Sequence, residues 1–250
     1  MIDLKRISSY GVVFLFPFIL GINSCTSDLS NKKLCNLSLI CAGIEINQSP
    51  TNKADNSVVV TLLDKNGNRI SNDSLLVFVN GIEKKLTRRQ GLYYSNESVY
   101  VFSNVSVKEK YNVEIKLTDG KKYFLGSVKA LAEEKPENIE CKEAGNLNDD
   151  FLITWHGLID IDELSVFIGM TEQTEPNVTT ATNKDEKIIK IKSDGSFKIS
   201  KAEYKEAKAK ISGIEFNFRT TKNGLVNTEL LKNSHITIKT IIEKYAAFKE

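Results

Sequence analysis

The chain has 250 residues, enough for one large or two ordinary domains, and its 41% hydrophobic content can build a packed core, which excludes disorder along the whole length. Lys and Arg number 34 against 32 Asp and Glu, and the two signs are interspersed, which excludes the clustered basic face that nucleic acid binding needs. The Lys32-Lys33 and Arg88-Arg89 pairs are too short to make such a patch.

The first 25 residues differ from everything after them. Lys5 and Arg6 precede an uncharged run from 11 to 22 (GVVFLFPFILGI), which has the length of a signal-peptide hydrophobic region. A membrane-spanning helix needs roughly 20 apolar residues, and this run contains Pro17 and stops at Asn23 and Ser24. The stretch Leu20-Gly21-Ile22-Asn23-Ser24-Cys25 resembles the lipobox of bacterial lipoproteins, with an aliphatic residue (Ile22) three places before the cysteine and a small one (Ser24) directly before it. Asn23 is a less usual occupant of the middle place. The resemblance implies that residues 1–24 are a signal peptide, cleaved between Ser24 and Cys25. It also implies that Cys25 then receives a diacylglycerol on sulfur and a third acyl chain on its new amino group. At about 0.8 kcal/mol per buried methylene, two or three such chains hold a protein on a bilayer essentially permanently. No other cofactor is implied. Thr26, and not Asp, follows the cysteine, which by the same resemblance favours the outer membrane. Residues 26–31 carry hardly any acidic run, so the periplasmic and outward faces are both open. Residues 25–34 read as a small, polar, lipidated tether.

From Leu37 onward the dominant period is two. Residues 57–63 are β-branched and apolar, and Asp64-Lys65-Asn66-Gly67-Asn68 follows with the chemistry of a hairpin turn. Residues 75–79 before Asn80-Gly81, then 91–94, 98–102 and 111–117, repeat the pattern. Asp119-Gly120 leads into residues 122–125. Short strands with turn signals every eight to twelve residues or so predict a β-sandwich over 35–131. Residues 132–137, charged and containing Pro136, read as a linker.

A second set of strands fills 138–250. Residues 151–155 and 164–168 flank a polar bend at Asp160 and Asp162. Strands are expected at 186–192, 196–199, 210–220 and 235–242, with turns at Asp194-Gly195 and Asn223-Gly224. Ile214, Phe216 and Phe218 alternate with Glu215, Asn217 and Arg219, the period of a half-buried strand. One short helix is expected at 201–208, capped by Ser200 with Glu203 in its first turn. With its single tryptophan, Trp155, in an early strand, this half is similar to fibronectin type III and immunoglobulin-like sandwiches. The fold expected is thus all-β: two tandem β-sandwich domains behind a cleaved lipoprotein signal. Such sandwiches imply no particular activity.

No catalytic constellation or metal site is visible. His156 and His235 are the only histidines and form no local pair at ligand or catalytic spacing. Cys35, Cys41 and Cys141 admit a disulfide in an oxidising compartment, although six extended residues would hold Cys35 and Cys41 some 20 Å apart, so that pair needs a loop at 36–39. Residues 146–150 with Asp160 and Asp162 offer calcium-type oxygens without the spacing of a calcium loop. Tyr93, Tyr94, Tyr100, Tyr111 and Tyr123 could line a sugar-binding face or pack inward. The function expected is a non-enzymatic envelope lipoprotein that binds a protein or glycan partner or serves as a structural module. The second expectation is an accessory glycan-binding subunit or enzyme of a polysaccharide-handling complex, with its site on a long threonine-rich loop at 169–185.

Overall fold

The computed structural model describes residues 27–52, 55–90, 96–106, 109–175, 178–204 and 209–248. Ser24 and Cys25 lie outside them, as do Tyr93 and Tyr94 of the expected aromatic group. Among the described residues the protein is built from strands with short 3-10 turns as its only helical segments, in several open sheets arranged as β-sandwiches.

Alternation makes the first sandwich. In β1 (Cys41–Asn47) Ala42, Ile44 and Ile46 are buried, and in β2 (Ser57–Leu63) Val58, Val60 and Leu62. These strands pair antiparallel, β6 (Asn96–Ser103) adds to β2, and β5 (Thr87–Gln90) adds to β6. The facing sheet holds β3 (Leu76–Val79), β4 (Ile82–Lys84), β7 (Lys110–Lys116) and β8 (Lys122–Lys129). Asn80 and Gly81, with φ of 51° and 87°, make the two-residue turn between β3 and β4, and only residues tolerant of positive φ close so tight a hairpin.

The second sandwich sets β15 (Gly195–Ile199), β11 (Phe151–Trp155) and β9 (Ile139–Cys141) against β12 (Glu163–Glu175), β16 (Ala209–Asn223) and β18 (His235–Phe248). Ile214, Phe216 and Phe218 point inward as their alternation predicts. Phe151 stacks on Phe216 at 5.7 Å, and Trp155 meets Phe218 edge-on at 5.5 Å. The outer side of β12 pairs with β13 (Val178–Asn183) and β14 (Lys187–Lys190), and β10 (Ala144–Gly145) joins the end of β18.

One strand belongs to both bodies. β18 runs parallel to β1, from Gly43↔His235 to Asn47↔Lys239, and antiparallel to β16 from Thr237 to Ala247. Ile236 and Ile238 therefore enter the first core, while Ile242 and Ala246 enter the second. The result is one ten-stranded sheet, ordered β13-β12-β16-β18-β1-β2-β6-β5 with β10 and β14 attached, that backs both sandwiches. Leu230 also packs into the first core, from far beyond the 35–131 span.

The structure corrects several local expectations. Residues 169–185 form no long loop: β12 and β13 pair as a hairpin, because threonine is as good a strand former as a loop residue. Only a 3-10 turn stands at Lys201–Tyr204, and 205–208 lie outside the described residues. Asn223-Gly224 is a crossing and not a hairpin turn. The chain leaves β16 there for β17 (Leu225–Val226), which pairs with β8 in the facing sheet. A Cβ on Gly224 would sit 2.3 Å from the Ser127 carbonyl oxygen, so the crossing needs glycine. Asp194-Gly195 likewise leads from one sheet to the other, Gly195 beginning β15 opposite Trp155. The expected tether is already folded from Ser27 onward: Ser27 is 3% exposed, Asp28–Asn31 form a 3-10 turn, and Leu34 is fully buried.

Candidate functional site

The register of the long sheet places the outward residues of its central strands in rows. Phe167, Glu215 and Tyr245 stand side by side on β12, β16 and β18. The next row along is Gly169, Gly213 and Ala247, which raises almost no side chain from the sheet. A trough of about 340 Å³ results, lined by Phe167, Tyr245, the two glycines, Asn183, Ser212 and Glu215. Tyr245 lies across Gly213, where a Cβ would come within 2.1 Å of its hydroxyl and 2.5 Å of Cζ. Its hydroxyl donates to the Ser212 carbonyl at 3.4 Å. The hydroxyl end of the ring thus covers bare backbone, and the residue remains 58% exposed.

The rows on the other side are polar. Ser165, Asn217 and Glu243 form one, and Glu163, Arg219 and Ile241 the next. Asn217 donates to Glu215 Oε1 at 2.7 Å, while its own Oδ1 is buried without a partner among the described residues. Arg219 donates through Nε to Glu163 at 2.6 Å and pairs with Glu186 at 3.2 Å. Lys190 reaches Glu163 at 3.0 Å, and Ser165 donates to Glu186. The hydrogen bonds from Lys190 and Arg219 hold the Glu163 carboxyl below its ordinary range. These carboxylates are held by cations and a hydroxyl, which suits a positioning role for the sheet face. Further along, where the sandwiches join, a cleft of about 710 Å³ is bounded by Gln48, Pro50, Arg219, Lys239 and Ile241.

The residues expected to be functional are scattered. His235 opens β18, with Nδ1 3.2 Å from the Asn233 carbonyl, and His156 follows β11 in the other sandwich. No disulfide joins Cys35, Cys41 and Cys141, which are free thiols: Cys35 is exposed beside Thr118, Cys41 is buried in β1, and Cys141 lies in β9 of the second sandwich. Burial pushes the Cys141 thiol pKa up, the direction of an inert side chain. Asp150 pairs with Lys198 at 3.2 Å, whereas Asp160 pairs with Lys222 and accepts the Ala132 amide at 2.6 Å, so the acidic residues face different partners. The described tyrosines of the expected sugar face do not share one: Tyr100 and Tyr111 are fully buried in the first core, and Tyr123 donates to Asp119. The strand expected at 235–242 stops short of Tyr245, whereas β18 continues to Phe248. Continued alternation through Ala246 would have placed it on the outer face.

No protein-family model matches the chain, and no curated protein matches it significantly. Among solved structures, a cytokine receptor complex aligns with 82% of this chain and 99% of its own at 8% identity, with a TM-score of 0.29. A Bacteroides ovatus mixed-linkage glucan utilization locus protein, SGBP-B, solved with a mixed-linkage heptasaccharide, aligns with 89% of this chain and 47% of its own at 12% identity, TM-score 0.24. The Yersinia pseudotuberculosis adhesin InvE aligns with 84% of this chain and 59% of its own at 8% identity, TM-score 0.25. None of these likenesses bears on a ligand for this chain.

Proposed function

We propose that this chain is a non-enzymatic envelope lipoprotein, held on a bacterial outer membrane by acyl chains on Cys25, that binds a partner through the outer face of its long sheet. The row of Phe167, Glu215 and Tyr245 beside the glycine trough carries the binding part of this reading, since an exposed aromatic beside polar groups makes a good anchor. The lipobox-like stretch 20–25 supports the anchor. Growth with labelled palmitate tests it: the wild type takes up label, and Cys25→Ser loses both the label and membrane retention. An unlabelled wild type would refute acylation.

A glycan is the partner class favoured by one observation. Tyr245 lies across Gly213 and is 58% exposed, an aromatic surface of the kind on which a sugar ring stacks, and Asn183 and Glu215 line the same trough as polar groups for such a ring. Calorimetric titration with neutral polysaccharides tests this reading. Tyr245→Ala weakens binding at least about tenfold, the equivalent of about 1.4 kcal/mol. Equal affinity of the variant excludes the trough as the site.

A further inference from the structure

We propose that the first sandwich is seated directly on anionic phospholipid headgroups, with the end that carries Lys32, Lys33 and Lys65 facing the bilayer; this deepens, and rests on, the Cys25 anchor. The observation behind it is how early the fold begins. The Ser27 amide donates to the Arg69 carbonyl at 3.0 Å, and the Ser27 hydroxyl accepts the Leu29 amide at 3.1 Å. The Ser71 amide donates to Ser30 Oγ at 2.8 Å, and the Asn72 side-chain amide donates to the carbonyls of Leu29 and Lys32. Leu29 packs on the first core, and Leu34 is wholly inside it, its carbonyl taken by the Thr118 amide and hydroxyl. From Ser27 onward there is no slack.

Two residue steps separate Cys25 from Ser27, a reach of about 7 Å at full extension. The headgroup layer is itself about 5–8 Å deep on each side of the hydrocarbon. Acyl chains buried from Cys25 therefore leave the sandwich no distance from the surface. The part that must touch is what surrounds Ser27: the 28–33 segment and the turn at 64–69. Lys32, Lys33 and Lys65 are exposed there against exposed Asp28, while the Asp64 carboxylate is turned inward onto the amides of Asn66 and Asn68. Near an anionic leaflet each such lysine adds to the attraction.

The test attaches the lipid chemically, so that it does not depend on acylation in the cell. The chain from Cys25 onward, carrying Cys35→Ser and Cys141→Ser, is coupled at Cys25 to a maleimide lipid in phosphatidylcholine–phosphatidylglycerol vesicles. A single adduct is confirmed by mass, and attachment by flotation. Lysine acetylation is then followed by mass spectrometry. On vesicles Lys32, Lys33 and Lys65 react at least about threefold more slowly than in solution, while Lys190 and Lys198 of the second sandwich keep their rates. A Gly/Ser insert of about ten residues after Thr26, spanning roughly 17 Å, restores the three rates. Unchanged rates at those lysines, or slowing spread evenly over the chain, would overturn the seating. An unlabelled wild type in the palmitate experiment would instead remove the native anchor and leave the footprint to stand or fall by itself.

Discussion

Tyr100 and Tyr111 carry hydroxyls buried in the first core with no partner among the described residues, at positions where phenylalanine would fit. Burial pushes the Tyr111 pKa up to about 12, and that of Tyr100 higher still. A raised folded-state pKa means that the contribution is complete below the ordinary value of 10 and disappears as pH rises through the folded value. Thermal melts of Tyr111→Phe should match the wild type within about 0.5 kcal/mol or exceed it at pH 8, because the lost hydroxyl made no hydrogen bond. Between pH 10 and 12 the wild type falls while the variant falls less. Equal alkaline slopes would show that this hydroxyl has an outlet to solvent.

At the level of strands, the pairing of β12 with β16 depends on packing below and charge above. Arg219 sits between Glu163 and Glu186 on the outer face, and the depressed Glu163 pKa makes its contribution complete above the ordinary value of 4.5 and lost as pH falls through the lower folded value. Arg219→Met should cost about 1 kcal/mol at pH 7, the scale of a partly exposed pair. The gap to wild type in Tm should narrow as pH drops from 5 toward 3. A gap independent of pH would mean that the side chain acts through its stem alone. Most strands could be read from the sequence: the Ile214-Phe216-Phe218 alternation and the Asn80-Gly81 turn sit where local chemistry puts them. Partnership could not. Nothing near His235 says that it will lie beside Gly43, and no local signal marks Gly213 as the place where Tyr245 rests. The fixing of residues 27–34 is the work of hydrogen bonds to residues far along the chain, Arg69, Ser71, Asn72 and Thr118, which leave no trace in a hydropathy pattern.

Across the molecule, the two cores are locked together by more than β18. Gln48 exchanges two hydrogen bonds with the Leu131 backbone, the Glu134 carboxylate accepts the amides of Ile159 and Asp160, and the Glu134 amide donates to the Pro50 carbonyl. The 131–134 strap is thereby held at both ends. Unfolding should be one transition, and the lone Trp155 in the second sandwich reports it. Ile238→Ala empties space in the first core at about 2–5 kcal/mol, yet Trp155 fluorescence and far-ultraviolet dichroism should shift downward together. A fluorescence midpoint left in place would separate the two bodies.

The closing strand also sets a timetable. A polypeptide made N-terminus first carries β1 with a vacant lane on one flank until residues 235–239 arrive, about 190 residues later by their numbering. Ile236 and Ile238 are missing from the hydrophobic interior for just as long. Pairings so distant in sequence form slowly. The first core is therefore completed late, and any partly folded form that lacks this pairing leaves one flank of β1 open to strand addition by another chain.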